Sequence, residues 1–271
     1  MDMMLMLGIL ALIYFTTVIV LCLYRYKIRN LKFWNLVFIV ADVAAFFCWT
    51  YAAYLEGWLH GGWLTLGNIS PLMFTMILLT PFMKEGIRDY VYSTIAFLHL
   101  GMFLAMLLSP EYVYLFGFHR EASLLYTSEA ACHLICALFG IYLVLSGQVK
   151  ADFKHWAKSL AFIYTVIGTS VLLNYIFHRD YFGMDPYGDY SIYMIDIFGS
   201  FGATLLAYFA GIALTITVGW QSIRFLDTFT AKFFHIATKE ELMEEAENAK
   251  KSDTPLDEAP QEAREGAESA V

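Results

Sequence analysis

The sequence predicts an all-α protein built as a bundle of seven transmembrane helices. Hydrophobic residues make up 59% of the 271 residues and charged residues only 15%, whereas soluble domains carry about 25% charged residues. Apolar runs of about 20 residues recur along the chain, and each is long enough to cross a bilayer as a helix. The runs are continuously apolar and do not alternate with polar residues, so they favour helices over the strands of a barrel.

The predicted spans cover residues 4–24, 33–55, 63–82, 91–108, 125–145, 159–177 and 191–218. Short loops join them, so residues 1–220 are expected to form one membrane domain. The first span is expected to be an anchor and not a cleaved signal peptide, because its amino end, MDMM, lacks positive charge and its apolar run is too long for an h-region. We therefore expect a multi-pass protein of the cell membrane.

Positive charges concentrate in alternate loops. The loops after spans one, three and five hold Arg25, Lys27, Arg29, Lys32, Lys84, Arg88, Lys150, Lys154 and Lys158. The loops on the other side hold only Arg120 and Arg179. By the positive-inside rule the first group of loops is cytoplasmic. We therefore expect the amino terminus outside the cell and the carboxyl terminus in the cytoplasm.

Two further segments follow the last span. Residues 221–238 carry phenylalanines at four-residue spacing beside Arg224 and Lys232, which is typical of an amphipathic helix on the inner leaflet. A cytoplasmic extension of span seven is the alternative. Residues 239–271 are acidic and poor in aromatic residues, so we expect a disordered tail that is either only solvated or an interaction site for a cytoplasmic partner.

Several functional classes find no support in the sequence. The chain has no phosphate-binding loop, dinucleotide fingerprint or zinc ribbon, so neither a cofactor nor nucleic-acid binding is predicted. All four cysteines fall within predicted spans, so no disulfide framework is predicted. Cys132, His133 and Cys136 are close in sequence, but a metal site would need a fourth ligand, and no metal is predicted.

Among the polar side chains inside the predicted spans seven stand out, because an ionisable group there by default faces the bundle interior and marks a functional site. They are Asp42, Asn68, His99, Glu129, His133, Asn174 and Asp196. At 1.5 Å per residue, four of them, on four different helices, fall at a similar depth in the outer half of the bilayer: Asn68, His133, Asn174 and Asp196. Asp42 and His99 lie closer to the midplane. The shared depth predicts an outward-facing polar pocket for a lipid or another small amphiphile.

On span five, Glu129, Cys132, His133 and Cys136 follow one another at spacings of three and four residues, which places them on one helix face. A carboxylate one turn from an imidazole can fix its tautomer and raise its pKa. This is the arrangement of a general base with an orienting partner, with Asn68 or Asn174 as an oxyanion donor. The alternative is that Glu129 and His133 only satisfy each other and neighbouring helices.

Several short motifs resemble the YwaF family of bacterial integral membrane proteins, akin to the eukaryotic transmembrane protein 164 family. LTLGNISPLMF (64–74) is similar to the family stretch LPLxLCSIS, and CHLI holds His133 where the family has its histidine. GIRDYVYSTIAFLHLGMFLAMLLSPEYVYLFGF, LLNYIF and YMID are similar to later family segments, so the resemblance covers roughly residues 30–218. It implies a membrane acyltransferase or lipid hydrolase in which a nucleophile acts with His133.

One position departs from the family pattern, because the family cysteine aligns with Gly67. A glycine cannot be a nucleophile, and three readings follow. The chain keeps the pocket for binding alone, or Ser70 or Thr65 supplies a hydroxyl nucleophile, or one of the span-five cysteines does so beside the base.

Two readings from other functional classes remain open. A transporter or sensor would bind a solute or cation through Asp42, Glu129 and Asp196. A scaffold would use the same polar side chains only to join helices.

Overall fold

The structure, a computed structural model, describes residues 3–25, 28, 30–55, 69–108, 124–177 and 189–233. Within these ranges every regular element is a helix, which confirms the all-α prediction for them. The chain divides into two compact units, Met1–Asp227 and Thr228–Val271. The second unit is described only over residues 228–233, which are helical, and the features below belong to the first unit.

The helices follow one another in chain order as α1 Met3–Tyr24, α2 Leu31–Leu55, α3 Ile69–Leu79, α4 Glu85–Leu108, α5 Leu124–Leu145, α6 Phe153–Phe177, α7 Asp189–Phe198 and α8 Phe201–Phe233. A 3₁₀ turn, Thr80–Phe82, extends α3. Six of these helices, α1, α2, α4, α5, α6 and α8, are long and apolar enough to cross a membrane. The structure is therefore that expected of a polytopic membrane protein.

The third predicted span, residues 63–82, is only partly described. Its described part, Ile69–Phe82, is an apolar helix shorter than a full span. At 1.5 Å per residue it extends about 21 Å, whereas the hydrocarbon core is about 30 Å thick. Residues 63–68 lie outside the described ranges, so the count of seven spans stays a prediction, as does the orientation of the termini.

The last predicted span, residues 191–218, is not one continuous helix, which corrects the prediction. Gly199 ends α7 with φ +79°, a left-handed conformation that glycine adopts without steric cost. Ser200 then caps α8, because its Oγ accepts a hydrogen bond from the backbone N–H of Ala203 at 3.2 Å. Helix α8 continues to Phe233, so residues 221–233 extend the same helix. This agrees with the alternative prediction for residues 221–238, which was an extension of span seven.

Helix α5 lies at the centre of the bundle, and 83% of the residues of its span are buried. It packs between α2 and α4. A Cβ atom on Gly140 would lie 2.7 Å from the Cα atom of Ala96, so glycine lets α5 approach the backbone of α4. Helices α4 and α8 also pack closely, because a Cβ atom on Gly219 would collide with the carbonyl oxygen of Phe97. Small residues permit such close packing of membrane helices.

Polar contacts gather at one end of this unit, which we call the basic end because it holds the connections rich in lysine and arginine. Asp89 of α4 pairs with Lys158 and His155 of α6. Arg25 after α1 pairs with Asp227 of α8, Nη1 to Oδ1, at 2.8 Å. These ion pairs connect helices at the end that the sequence assigns to the cytoplasm.

Candidate functional site

Two histidines from different helices meet inside the bundle. His99 of α4 is 0% exposed and His133 of α5 is 4% exposed. Their ring centroids are 5.6 Å apart, with an angle of 48° between the rings. Phe74 of α3 contacts both rings, stacked on His99 at 5.8 Å and edge-on to His133 at 5.5 Å. Three helices therefore converge on this pair.

Most of the buried ring nitrogens of the pair have no hydrogen-bond partner within the described parts of the chain. Both ring nitrogens of His99 and Nδ1 of His133 lack such a partner. A buried polar atom without a partner costs about 1–3 kcal/mol, and buried polar groups in folded proteins are nearly always paired. The pair is therefore suited to receive a hydrogen-bonding group from a ligand.

The backbone is irregular at the same place. Residues Ile95–His99 form a π-helical turn inside α4, so that His99 ends the widened turn. Single π turns within α-helices are rare and occur frequently at functional sites. The turn also includes Phe97, whose carbonyl oxygen faces Gly219 of α8. The position of His99 thus depends on an unusual backbone turn packed between neighbouring helices.

A buried carboxyl group lies near the middle of α2. Asp42 is 1% exposed, and Cys136 of α5 donates a hydrogen bond from its thiol to Asp42 Oδ1 at 3.5 Å. Cys132, one turn before Cys136, is also fully buried. Its thiol lies close enough to Asp42 and Glu129 to interact with their carboxyl groups electrostatically. The α5 face predicted from the three- and four-residue spacing therefore contacts α2 through its cysteines, whereas His133 on the same face meets α3 and α4.

Glu129 has a different neighbour from the one the spacing suggests. Its carboxyl group interacts with Trp49 of α2, whose side chain is 2% exposed. Among the described residues no ion pair or hydrogen bond is found between Glu129 and His133. We call Asp42, His99, Glu129, Cys132, His133 and Cys136 the polar centre.

The remaining predicted site residues are distributed as follows. Ser70 is partly buried on α3, one turn before Phe74 and hence on the helix face that reaches the histidines. Asn174 is buried on α6 at 2% exposure. Asp196 is exposed on α7, so it does not join the polar centre. Asn68, together with Gly67 and Thr65, lies outside the described residues.

Neither a metal cluster nor the described cavity coincides with the polar centre. In the ranges that the structure covers, no group of three or more His, Cys, Asp or Glu side chains is arranged to hold a metal ion. A cavity of about 440 Å³ lies between α1 and α8, lined among others by Tyr14, Leu104 and Phe225. No residue of the polar centre lines it.

Sequence reasoning missed the aromatic part of the site. Trp49 and Phe74 contact the polar side chains, yet aromatic residues are so frequent in this chain, at 17%, that none stands out. The π turn also leaves no signal in the residues 95–99. A hint was available in the spacing of Asp42, Phe46 and Trp49, which puts them on one face of α2.

Comparison with known proteins gives a single result. No protein-family model, no curated protein and no solved structure matches the chain.

Proposed function

We propose that the polar centre is a binding site for the polar group of a lipid or another small amphiphile. The observation that carries this proposal is the buried pair of His99 and His133, three of whose ring nitrogens have no hydrogen-bond partner among the described residues. Neutral imidazole offers one donor and one acceptor. The pair can therefore bind a hydroxyl, a carboxyl or a phosphate ester oxygen.

The surroundings favour an amphiphile over a water-soluble ligand. Phe74 packs on both imidazole rings, and Phe46 packs on both Phe74 and Trp49, at centroid distances of 5.8 and 5.7 Å. Binding sites for small molecules are mostly apolar, with a few well-placed polar groups. The resemblance of several motifs to the YwaF family also supports a lipid as the ligand.

Binding without acyl transfer is the simpler reading of this site. A nucleophilic mechanism needs a nucleophile beside a base, with the base oriented by a third group. Glu129 interacts with Trp49, and Gly67 stands where the family has its cysteine. In the alternative with chemistry, Ser70, on the Phe74 face of α3, is the candidate hydroxyl nucleophile and His133 is the base.

Photocrosslinking tests the binding proposal. The full-length chain in lipid nanodiscs is incubated with a palmitic acid that carries a diazirine and an alkyne, and the crosslinked peptide is identified by mass spectrometry. We expect crosslinks near α3, α4 or α5 and a decrease of at least about tenfold in His133→Leu, which corresponds to about 1.4 kcal/mol. Ser159→Ala is the matched control, because the hydroxyl of Ser159 is also buried without a hydrogen-bond partner in the described ranges but belongs to α6. Equal crosslinking in the wild type and His133→Leu would contradict the proposal.

A covalent probe separates binding from catalysis. A fluorophosphonate with a long alkyl chain reacts with activated serine side chains. If Ser70 is a nucleophile, labelling should appear in the wild type and disappear in Ser70→Ala and in His133→Leu. Crosslinking by the fatty acid without fluorophosphonate labelling would support a binding protein.

A second candidate function is proton-coupled transport or sensing, and the burial of Asp42 favours it. Its carboxyl group is 1% exposed and accepts a hydrogen bond from Cys136 near the middle of two membrane-spanning helices. Ionisable groups at such depth occur in proton relays. Proteoliposomes with an internal pH dye would then acidify under a pH gradient in the wild type and not in Asp42→Asn or Glu129→Gln.

A further inference from the structure

Four aromatic rings of α2, α4 and α5 form a layer next to the polar centre. Phe38 of α2 stacks on Phe139 of α5, with centroids 5.2 Å apart, and lies 5.1 Å from Tyr142. Tyr92 of α4 meets Phe139 edge-on at 5.8 Å. Phe139 and Tyr142 are 0% exposed and Tyr92 is 7% exposed. We call these four side chains the aromatic layer.

The register of the helices places this layer on one side of the polar centre. On α5, Phe139 follows Cys136 by three residues toward the basic end, and on α2, Phe38 lies one turn from Asp42 in the same direction. The hydrogen bond between Cys136 and Asp42 and the stacking of Phe139 on Phe38 are therefore successive contacts of one antiparallel helix pair. The rings lie directly between the polar centre and the basic end.

The far face of the layer is polar. Asn35 donates hydrogen bonds from Nδ2 to the hydroxyl of Tyr92 at 3.3 Å and to Oε1 of Gln148 at 3.0 Å. Gln148 donates in return to Asn35 Oδ1 at 3.2 Å, and the Tyr142 hydroxyl donates to the carbonyl oxygen of Leu31 at 3.3 Å. These bonds hold the hydroxyls of both tyrosines toward the basic end, while their rings pack against the other aromatic residues.

We propose that the aromatic layer closes the polar centre toward the basic end, so that its ligand enters only from the opposite end of the bundle or from the membrane. Packed apolar rings leave no hydrogen-bonding path, and hydrophobic constrictions of this kind exclude water and ions. With the orientation predicted from the positive charges, the ligand class is an amphiphile of the outer leaflet. This inference rests on the proposed function for the ligand but not for the closure.

Thiol accessibility tests the closure without any ligand. In a Cys22→Ser, Cys48→Ser background the remaining thiols are Cys132 and Cys136, which lie on the polar-centre side of the layer. A charged methanethiosulfonate reagent that does not cross the bilayer is applied to sealed vesicles of either orientation. A further variant of this background, Lys150→Cys, identifies the vesicles whose basic end faces the reagent, because Lys150 is exposed in the α5–α6 connection.

We expect no modification of the two thiols from the basic end, and an increase in rate of at least about tenfold in Phe139→Ala. Phe139→Leu should stay closed, because leucine keeps the layer apolar and filled. Phe103→Ala is the matched control, since Phe103 is a buried phenylalanine that packs on Tyr14 at 5.0 Å, away from the layer. The proposal fails if thiols react from the basic end with the layer intact, if Phe139→Ala gives no increase, or if Phe103→Ala gives the same increase.

The two proposals can fail separately. If the fatty acid does not crosslink while the aromatic layer remains closed to the thiol reagent, the lipid ligand is contradicted and the closure still stands. If the thiols react through an intact layer while the photocrosslink depends on His133, the closure is contradicted and the binding site still stands.

Discussion

The imidazole rings of His99 and His133 lie 5.6 Å apart between α4 and α5, with a single phenylalanine, Phe74, packed against both. Two polar rings in this apolar contact lose hydrogen bonds to water and regain few from the described protein groups. Such an arrangement lowers the stability of the protein without its ligand. It persists in folded proteins where a function requires it.

The first prediction concerns this stability cost. His99→Leu removes two buried ring nitrogens that have no hydrogen-bond partner in the part of the chain that the structure describes, and it introduces an apolar side chain of similar volume. We expect the ligand-free protein in detergent to become more stable by about 1–3 kcal/mol, which raises its melting temperature. Thermal unfolding followed by size-exclusion chromatography measures the change.

The control for that substitution lies on α6. Ser159 is 0% exposed, and its hydroxyl also lacks a partner among the described residues. Ser159→Ala should likewise keep or raise the melting temperature, but it should leave crosslinking of the fatty acid unchanged. A strong destabilisation by His99→Leu would mean that His99 makes structural hydrogen bonds and would count against the binding site.

The second prediction uses two glycines of α8. A Cβ atom on Gly219 would collide with the carbonyl oxygen of Phe97, whereas a Cβ atom on Gly211 would meet nothing within 4 Å. Gly219→Ala should therefore cost about 1–3 kcal/mol through overpacking, while Gly211→Ala should gain up to about 1 kcal/mol from helix propensity. Opposite shifts of the melting temperature are expected. Shifts of the same sign would contradict the close packing of α4 on α8.

The spans and the sites differ in how far the sequence determines them. Length and apolar composition are enough to predict a membrane-spanning helix, so six of the predicted spans overlap the six helices that are long enough to cross. Contacts between helices depend on how each is rotated about its axis. The face of α5 that carries His133 was predictable from spacing, but its contact with His99 was not.

The partner of Glu129 was also hard to predict, because it too depends on how neighbouring helices are rotated about their axes. Glu129 stands one turn from His133, and this spacing allows a contact without requiring it. The carboxyl group interacts with Trp49 of α2 instead, which no periodicity within α5 could indicate. By contrast, the break at Gly199 and Ser200 carries a local signal, because glycine after one helix and serine before the next are common end signals.

The third prediction concerns the amino end of α6. The backbone N–H of His155 donates to Asp152 Oδ1 at 2.9 Å, and its ring Nδ1 lies 2.6 Å from the same oxygen. Partial burial raises the pKa of Asp152, but the hydrogen bonds and the nearby charges of His155 and Lys150 outweigh burial and hold the pKa below its usual value. Asp152→Ala should cost about 1 kcal/mol through loss of the helix cap, as measured by thermal unfolding at neutral pH.

The pH dependence of this contribution has a definite sign. Because the pKa of Asp152 is lower in the folded protein than in the unfolded chain, its charge stabilises the fold above the unfolded value of about 3.9. The contribution is lost as the pH falls through the folded pKa. Asp152→Asn keeps a capping oxygen without the charge, so it should be less stable than wild type at neutral pH and approach it in acid. A constant difference across the pH range would contradict the lowered pKa.

The fourth prediction decides between six and seven membrane crossings. An odd number of crossings puts the two termini on opposite sides of the membrane, and an even number puts them on the same side. Six helices are long and apolar enough to cross, so the result depends on whether residues 63–82 complete a seventh span. We expect them to do so, because the lysine and arginine bias among the loops requires α3 to reverse the direction of the chain. Protease protection of short tags at each end, in sealed right-side-out vesicles, measures the outcome. Cleavage of the amino-terminal tag alone supports seven crossings and the predicted orientation. Cleavage of both tags, or protection of both tags, would establish an even number of crossings.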